Sequence, residues 1–170
     1  MLAEDPDEAL EQADFWRTEG AVLCVAGRGP LDEAASTPLV DVLRKHGFGA
    51  VVVPYGSVTR GRAGNIDALH AKLACVTHLE LEGAPAHLRY LLLRLRNALP
   101  PVTVVAGLWP PGDPIQSDDA LRFHVGADHC VTTVREALDV VLTEARAPPE
   151  DSEKGAAAAA RLDRPLPLPE

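Results

Sequence analysis

The sequence predicts an α/β domain in which a five-stranded, mainly parallel sheet is covered by helices on both faces. Three observations carry that reading. Short apolar runs, too short for convincing helices, alternate along the chain with longer segments of helical character. The runs are continuously apolar rather than alternating, as strands buried on both faces require. The length, 170 residues, suits one domain and is too short for a closed eight-fold barrel.

Asp5 to Arg17 combines helix formers and acids with a thin apolar stripe (Ala9, Leu10, Ala13, Phe15, Trp16) and reads as an amphipathic entry helix. Phe15 and Trp16 then need a surface to pack on. Ala21 to Ala26 is the first strand, followed at once by Gly27 and Gly29. The next helix ends near His46 and Gly47, and two starts fit it. Ser36 or Thr37 caps it with Pro38 in the first turn, or it begins near Leu31 and bends at Pro38. Ala50 to Val53 is the second strand, closed by Pro54, and Ser57 to Asp67 is a loop with at most a short helix.

Leu73 to Thr77 is the third strand. Pro85 opens the best helix of the chain, with Leu88, Leu91, Leu92, Leu95 and Leu99 at helical spacing, and Pro100 and Pro101 stop it. Val102 to Ala106 is the fourth strand, Asp118 to His124 a short helix and Asp128 to Val131 the fifth strand. Val134 to Ala145 closes the domain on Val134, Ala137, Leu138, Val141 and Leu142. Right-handed crossovers between such units give the flavodoxin-like strand order 2-1-3-4-5 in three layers. Residues 1–20 are thus an acidic entry segment and 21–146 the α/β domain. Residues 147–170, with five prolines and an alanine run, are expected to be a disordered tail.

The net charge of −9 is unevenly spread: residues 1–20 hold seven acids and one arginine, and residues 147–170 hold five acids and three bases. The domain between them is nearly neutral, and Arg89, Arg94 and Arg96 are too few to form a phosphate-tracking face, so nucleic-acid binding is not expected. No apolar run approaches the roughly 18 to 20 residues of a membrane span, and the acidic N-terminus lacks a secretory pattern, which predicts a cytoplasmic chain. Cys24, Cys75 and Cys130 stand among strand residues, at no metal-ligand spacing, and read as reduced, buried small hydrophobes.

In an open parallel sheet, ligands bind beyond the carboxyl ends of the strands where the strand order reverses, here between strands one and three. That rule selects Gly27, Arg28, Gly29 and Asp32 after strand one, Thr77, His78 and Glu80 after strand three, and Gly107 and Trp109 after strand four. Each also has a purely structural account. Gly27 and Gly29 either let the chain turn or form a backbone nest for an anion. His78 and Glu80 are an exposed polar pair or an acid/base pair, Trp109 a packed loop anchor or a stacking platform, and Asp32 a partner of the helix dipole or of a ligand. Named chemistries fail at this rim. Position 32 is Asp where the dinucleotide fingerprint needs its third glycine, and no GxxxxGK[ST] loop or GxSxG elbow is present. Thr77 and His78 stand where a phospho-receiver needs aspartate, and the six histidines are not at metal-ligand spacing. No catalytic residue, metal or cofactor is assigned.

The stretches AVLCVAGRGPLDEAASTPLVDVLRKHGFGAVVVP and GAPAHLRYLLLRLRNALPPVTVVAGLWP resemble the C-terminal region appended to some bacterial permeases of the autoinducer-2 exporter family. The opening MLAEDPDEALEQAD is similar to the segment preceding that region, so the likeness spans roughly residues 1–145. The resemblance implies a cytoplasmic accessory domain at the inner face of the membrane, with a permease core as its partner. The layout is also similar to cobalamin-binding domains of the flavodoxin-like group. Their base-off members ligate cobalt through a DxHxxG histidine, but the matching residues here are Asp32, Glu33 and Ala34, which predicts no cobalt ligation. The leading expectation is a non-catalytic regulatory or ligand-sensing domain. The alternatives are a nucleotide-, flavin- or cobalamin-like binding protein or small enzyme using the rim, and a homodimer built on the apolar faces of the entry helix and of Leu88 to Leu99.

Overall fold

The computed structural model describes residues 14–58, 70–79, 84–108 and 126–147. The expected helix at Asp118 to His124 and the expected tail beyond residue 147 lie outside them, as does most of the entry helix. Five strands form one sheet: β1 (Val22–Ala26), β2 (Ala50–Val53), β3 (Leu73–His78), β4 (Thr103–Leu108) and β5 (His129–Val131). Their order is β2-β1-β3-β4-β5, and every pairing is parallel. This is the flavodoxin-like arrangement expected from the alternation of elements. Among the described residues, beside the helical residues 14–17, the helices are α1 (Pro30–Lys45), α2 (Tyr55–Val58), α3 (Ala84–Ala98) and α4 (Val134–Arg146).

Successive strand residues feed two separate cores. Leu23, Val25, Ala74, Val76, Val104 and Ala106 point into one, where the buried stripe Leu88, Leu91, Leu92, Leu95 and Leu99 of α3 meets them with Val58 of α2. Val22, Cys24, Leu73, Cys75 and Val105 point into the other, against Leu39, Val40 and Leu43 of α1 and Ala137 and Val141 of α4. Burying a leucine or valine fully contributes about 1.5–3 kcal/mol, so two such layers explain why the central strands read as unbroken apolar runs.

The two candidate starts of α1 are resolved in favour of the earlier one. Gly29 is the N-cap, Pro30 opens the first turn and Pro38 lies inside the helix. A mid-helix proline costs about 3 kcal/mol in isolation. Here Leu39, Val40 and Leu43 are buried on the far side of Pro38, and buried Ser36 on the near side donates to Thr77 Oγ1 at 3.1 Å. Both halves are held on the sheet, so the helix runs through. It ends at Gly47, whose φ of +87° favours glycine, with Phe48 N donating back to Leu43 O at 3.1 Å. Thr133 starts α4 with a capping box to Glu136.

Residues 14–17 are helical and dock at the amino-terminal end of the sheet. Trp16 is buried edge-on against Phe48, with ring centroids 6.1 Å apart, and the Lys72 ammonium lies 4.4 Å from the Phe15 ring centre. These contacts supply the surface that the two aromatics required. At the other edge, Arg96 of α3 reaches Asp128 at 3.0 Å, and the same carboxylate oxygen accepts from Val104 N at 2.8 Å, tying the entry to β5 onto β4.

Cys24 and Cys75 are register partners on β1 and β3, and both are buried free thiols. The expectation of three buried cysteines is corrected at Cys130, which is only half-buried because β5 forms the sheet edge. Burial pushes the Cys75 thiol up from 9.0 to about 12, and pushes Cys24 up as well, with Cys75 adding to the effect. The folded state therefore favours the neutral thiol. That contribution is complete below pH 9.0 and is lost progressively as pH rises towards about 12. The expected result is a melting temperature that declines across this alkaline window, together with thiol labelling of the native protein at Cys130 ahead of the other two. Equal labelling rates at all three would contradict the burial.

Candidate functional site

The carboxyl ends of β1 and β2 open into a cleft of about 320 Å³, lined by Gly27 and Arg28, by Tyr55 and Val58 of α2, and by His87, Tyr90, Leu91 and Arg94 of α3. Among the described residues, three chain segments line it. The loop after β1 forms one wall, α2 sits where β2 ends, and α3 covers the same face of the sheet. On α3 the leucine stripe faces the core, which leaves His87, Tyr90 and Arg94 on the side turned to the cleft. Tyr90 is 53% and Tyr55 37% exposed, and the Arg94 guanidinium lies 5.8 Å from the Tyr90 ring centre.

Of the residues selected from sequence, Gly27 and Arg28 line this cleft. The others are placed differently. Asp32 is only 4% exposed; one carboxylate oxygen accepts from Arg28 N at 2.7 Å and the other from Leu79 N at 2.9 Å. It ties the loop after β1 to the end of β3, and its position in the first turn of α1 also complements the helix dipole. Thr77 is buried and bonded to Ser36. His78 is 1% exposed, which corrects its reading as an exposed polar residue. Strand β3 continues through it, pairing His78 with Leu108, and its ring lies 6.2 Å from that of His87. Gly107 is a buried residue within β4, in register with Thr77 and Val131, rather than in the loop beyond the strand. Glu80 and Trp109 lie outside the described residues.

Neither Gly27 nor Gly29 has a positive φ, so neither bend position needs glycine for a left-handed backbone. A Cβ on Gly27 would come 2.9 Å from Thr77 O and 3.2 Å from His78 Cδ2, whereas one on Gly29 would meet nothing within 4 Å. Gly27 permits close approach of two backbones. Two backbone donors of the anion nest are taken, since Gly27 N donates to Thr77 O at 2.9 Å and Arg28 N to Asp32. Gly27→Ala is expected to lower stability by about 1–3 kcal/mol through overpacking against backbone, while Gly29→Ala stays within about 0.5 kcal/mol of wild type. Urea denaturation of the two variants measures the difference, and equal midpoints would contradict the packing.

Tyr55, Val58, His87, Tyr90, Leu91 and Arg94 were not selected from sequence. A signal was available for some. Tyr55 follows directly on the strand end closed by Pro54, and Tyr90 and Arg94 are four residues apart on the helix face that the leucines leave free. Among the described residues, no group of three or more His, Cys, Asp or Glu side chains could hold a metal ion, and no helix is long and apolar enough to cross a membrane. No family model matches the chain, and no curated protein matches it.

Proposed function

We propose that this chain is a non-catalytic, ligand-sensing cytoplasmic domain that regulates a membrane permease, and that it senses its ligand in the cleft between the loop after β1, α2 and α3. The observation that carries the reading is the position of that cleft. It opens at the carboxyl ends of β1 and β2, beside the switch point of the sheet, where this topology leaves room for a ligand. Its described lining holds arginines, tyrosines and a histidine beside apolar Val58 and Leu91, a mix of ring faces and polar groups suited to holding a small molecule. The permease half of the proposal rests on the resemblance of residues 21–54 and 83–110 to the accessory region of exporter-family permeases.

Native mass spectrometry of the purified chain, followed by thermal-shift screening against nucleotides, flavins, cobalamins and acyl phosphates, tests the ligand half. A ligand at a hundred times its Kd stabilises by about 2.7 kcal/mol, a rise in Tm of roughly 5–15 °C, and the rise should vanish on Tyr55→Ala. A folded protein that retains no ligand and responds to none of these classes would defeat the sensing role.

A further inference from the structure

Resting on the reading of this cleft as a ligand site, we infer that it takes a small anion joined to a flat ring, of the nucleoside-monophosphate class, with the anion held by the Arg94 side chain and the ring by the tyrosines. The amino end of α1 would ordinarily attract one, but Gly27 N is committed to Thr77 O and Arg28 N to Asp32, and the Asp32 carboxylate itself occupies the first turn. A phosphate placed there would face a buried carboxylate and find two of the loop's backbone donors already taken.

The α3 wall has the complementary character. Arg94 on α3 lines the cleft, and no described lining residue is acidic, in a chain whose net charge is −9. Guanidinium groups present paired N–H donors whose fork matches the oxygens of a phosphate or carboxylate. In the same cleft Tyr55 and Tyr90 expose ring surface, and Val58 and Leu91 supply apolar lining. Aromatic faces beside a guanidinium hold a planar ring by stacking, at about 1–3 kcal/mol per base. Size narrows the class further. The volume of about 320 Å³ lies at the lower end of the usual range of roughly 300–1,000 Å³ for ligand pockets, which suits one ring with one anionic group and does not enclose a corrin.

The test compares matched pairs by isothermal titration calorimetry on the full chain: AMP, GMP, CMP and UMP against adenosine, guanosine, cytidine and uridine, with amide NMR shifts at Gly27, Tyr55 and Tyr90 reporting the location. At least one monophosphate should bind about tenfold or more tighter than its nucleoside. Arg94→Gln should remove most of that advantage while leaving nucleoside affinity within about twofold, and added salt should weaken the monophosphate alone. Arg94→Lys keeps the charge without the fork and should fall between the two, which also covers the case in which the Gln variant folds poorly. Nucleosides that bind at the cleft as tightly as their phosphates would overturn the anion assignment while leaving the ligand site intact. Absence of any binding across the four pairs would overturn the assigned ligand class, and stabilisation by another class in the thermal screen would then show that the site itself survives.

Discussion

Gly49→Ala should be among the most damaging single-methyl additions in the domain, lowering its stability by about 3 kcal/mol or expelling the entry turn altogether. A Cβ on Gly49 would overlap the Thr18 carbonyl and come 2.8 Å from Arg17 O. These are backbone atoms of the same turn to which Gly49 is bonded, since Gly49 N donates to Trp16 O at 2.8 Å and Gly20 N to Gly49 O at 2.9 Å. No side-chain rotation relieves such an overlap, and overpacking that forces backbone to move typically costs 1–3 kcal/mol and occasionally more. Expelling residues 14–20 instead would strip Trp16 from Phe48 and uncover the amino-terminal end of the second core. Either route lowers the melting temperature by roughly 6–20 °C, and expulsion also exposes the Trp16 indole, which a red-shifted fluorescence spectrum reports. A Gly29→Ala control, with open space around the added methyl, should melt with the wild type. An alanine at position 49 that leaves both Tm and emission unchanged would refute the docking of the entry turn.

Asp32→Ala is expected to cost about 3 kcal/mol, although Asp32 touches no hydrophobic core. Its two carboxylate oxygens each take one backbone N–H, from Arg28 and from Leu79. Hydrogen bonds to a charged acceptor contribute about 1.5–3 kcal/mol each, and both donors would be left in a partly buried setting. Loss of a negative charge from the first turn of α1 adds a few tenths more. Asp32→Asn keeps one acceptor oxygen but turns an amide N–H towards the second donor, so it should fall between Ala and wild type. Hydrogen exchange at the Arg28 and Leu79 amides is the decisive measurement. If both stay protected in the alanine variant and stability drops by less than about 1 kcal/mol, the cross-link does not exist. Because Arg28 borders the cleft, the same variant should also weaken ligand binding, which separates a positioning role for Asp32 from direct contact. Restoring global stability with a compatible ligand or osmolyte would not restore affinity.

The architecture was legible because its signals are local or topological. AVLCVA and LACVT read as strands since each lies between two cores, and a run buried on both faces has no polar positions to show. The leucine stripe of α3 declared both its helix and its buried face, and strand order followed from the handedness of crossovers. Where local signals competed, they misled or left alternatives. Ser36, Thr37 and Pro38 offer a good helix start, yet Ser36 is used inside α1 to reach Thr77, and that contact exists only once α1 lies on the sheet. His78 ended the recognisable strand in the sequence, but pairing with Leu108 extends β3 through it and buries the ring.

By itself, then, the sequence determined the fold class, the strand order and the end of the sheet at which a cleft opens, because hydrophobic periodicity and chain handedness are properties of contiguous residues. Which side chains line that cleft was decided only by the tertiary structure. Its walls come from residues 27–28, 55–58 and 87–94, segments whose spacing carries no repeated motif. Whether Asp32, Gly27 and Arg28 serve a ligand or the fold depended on which backbone donors the neighbouring strand had already claimed, and a hydrogen bond such as that between Asp32 and Leu79, across 47 positions of sequence, leaves no mark in a local pattern.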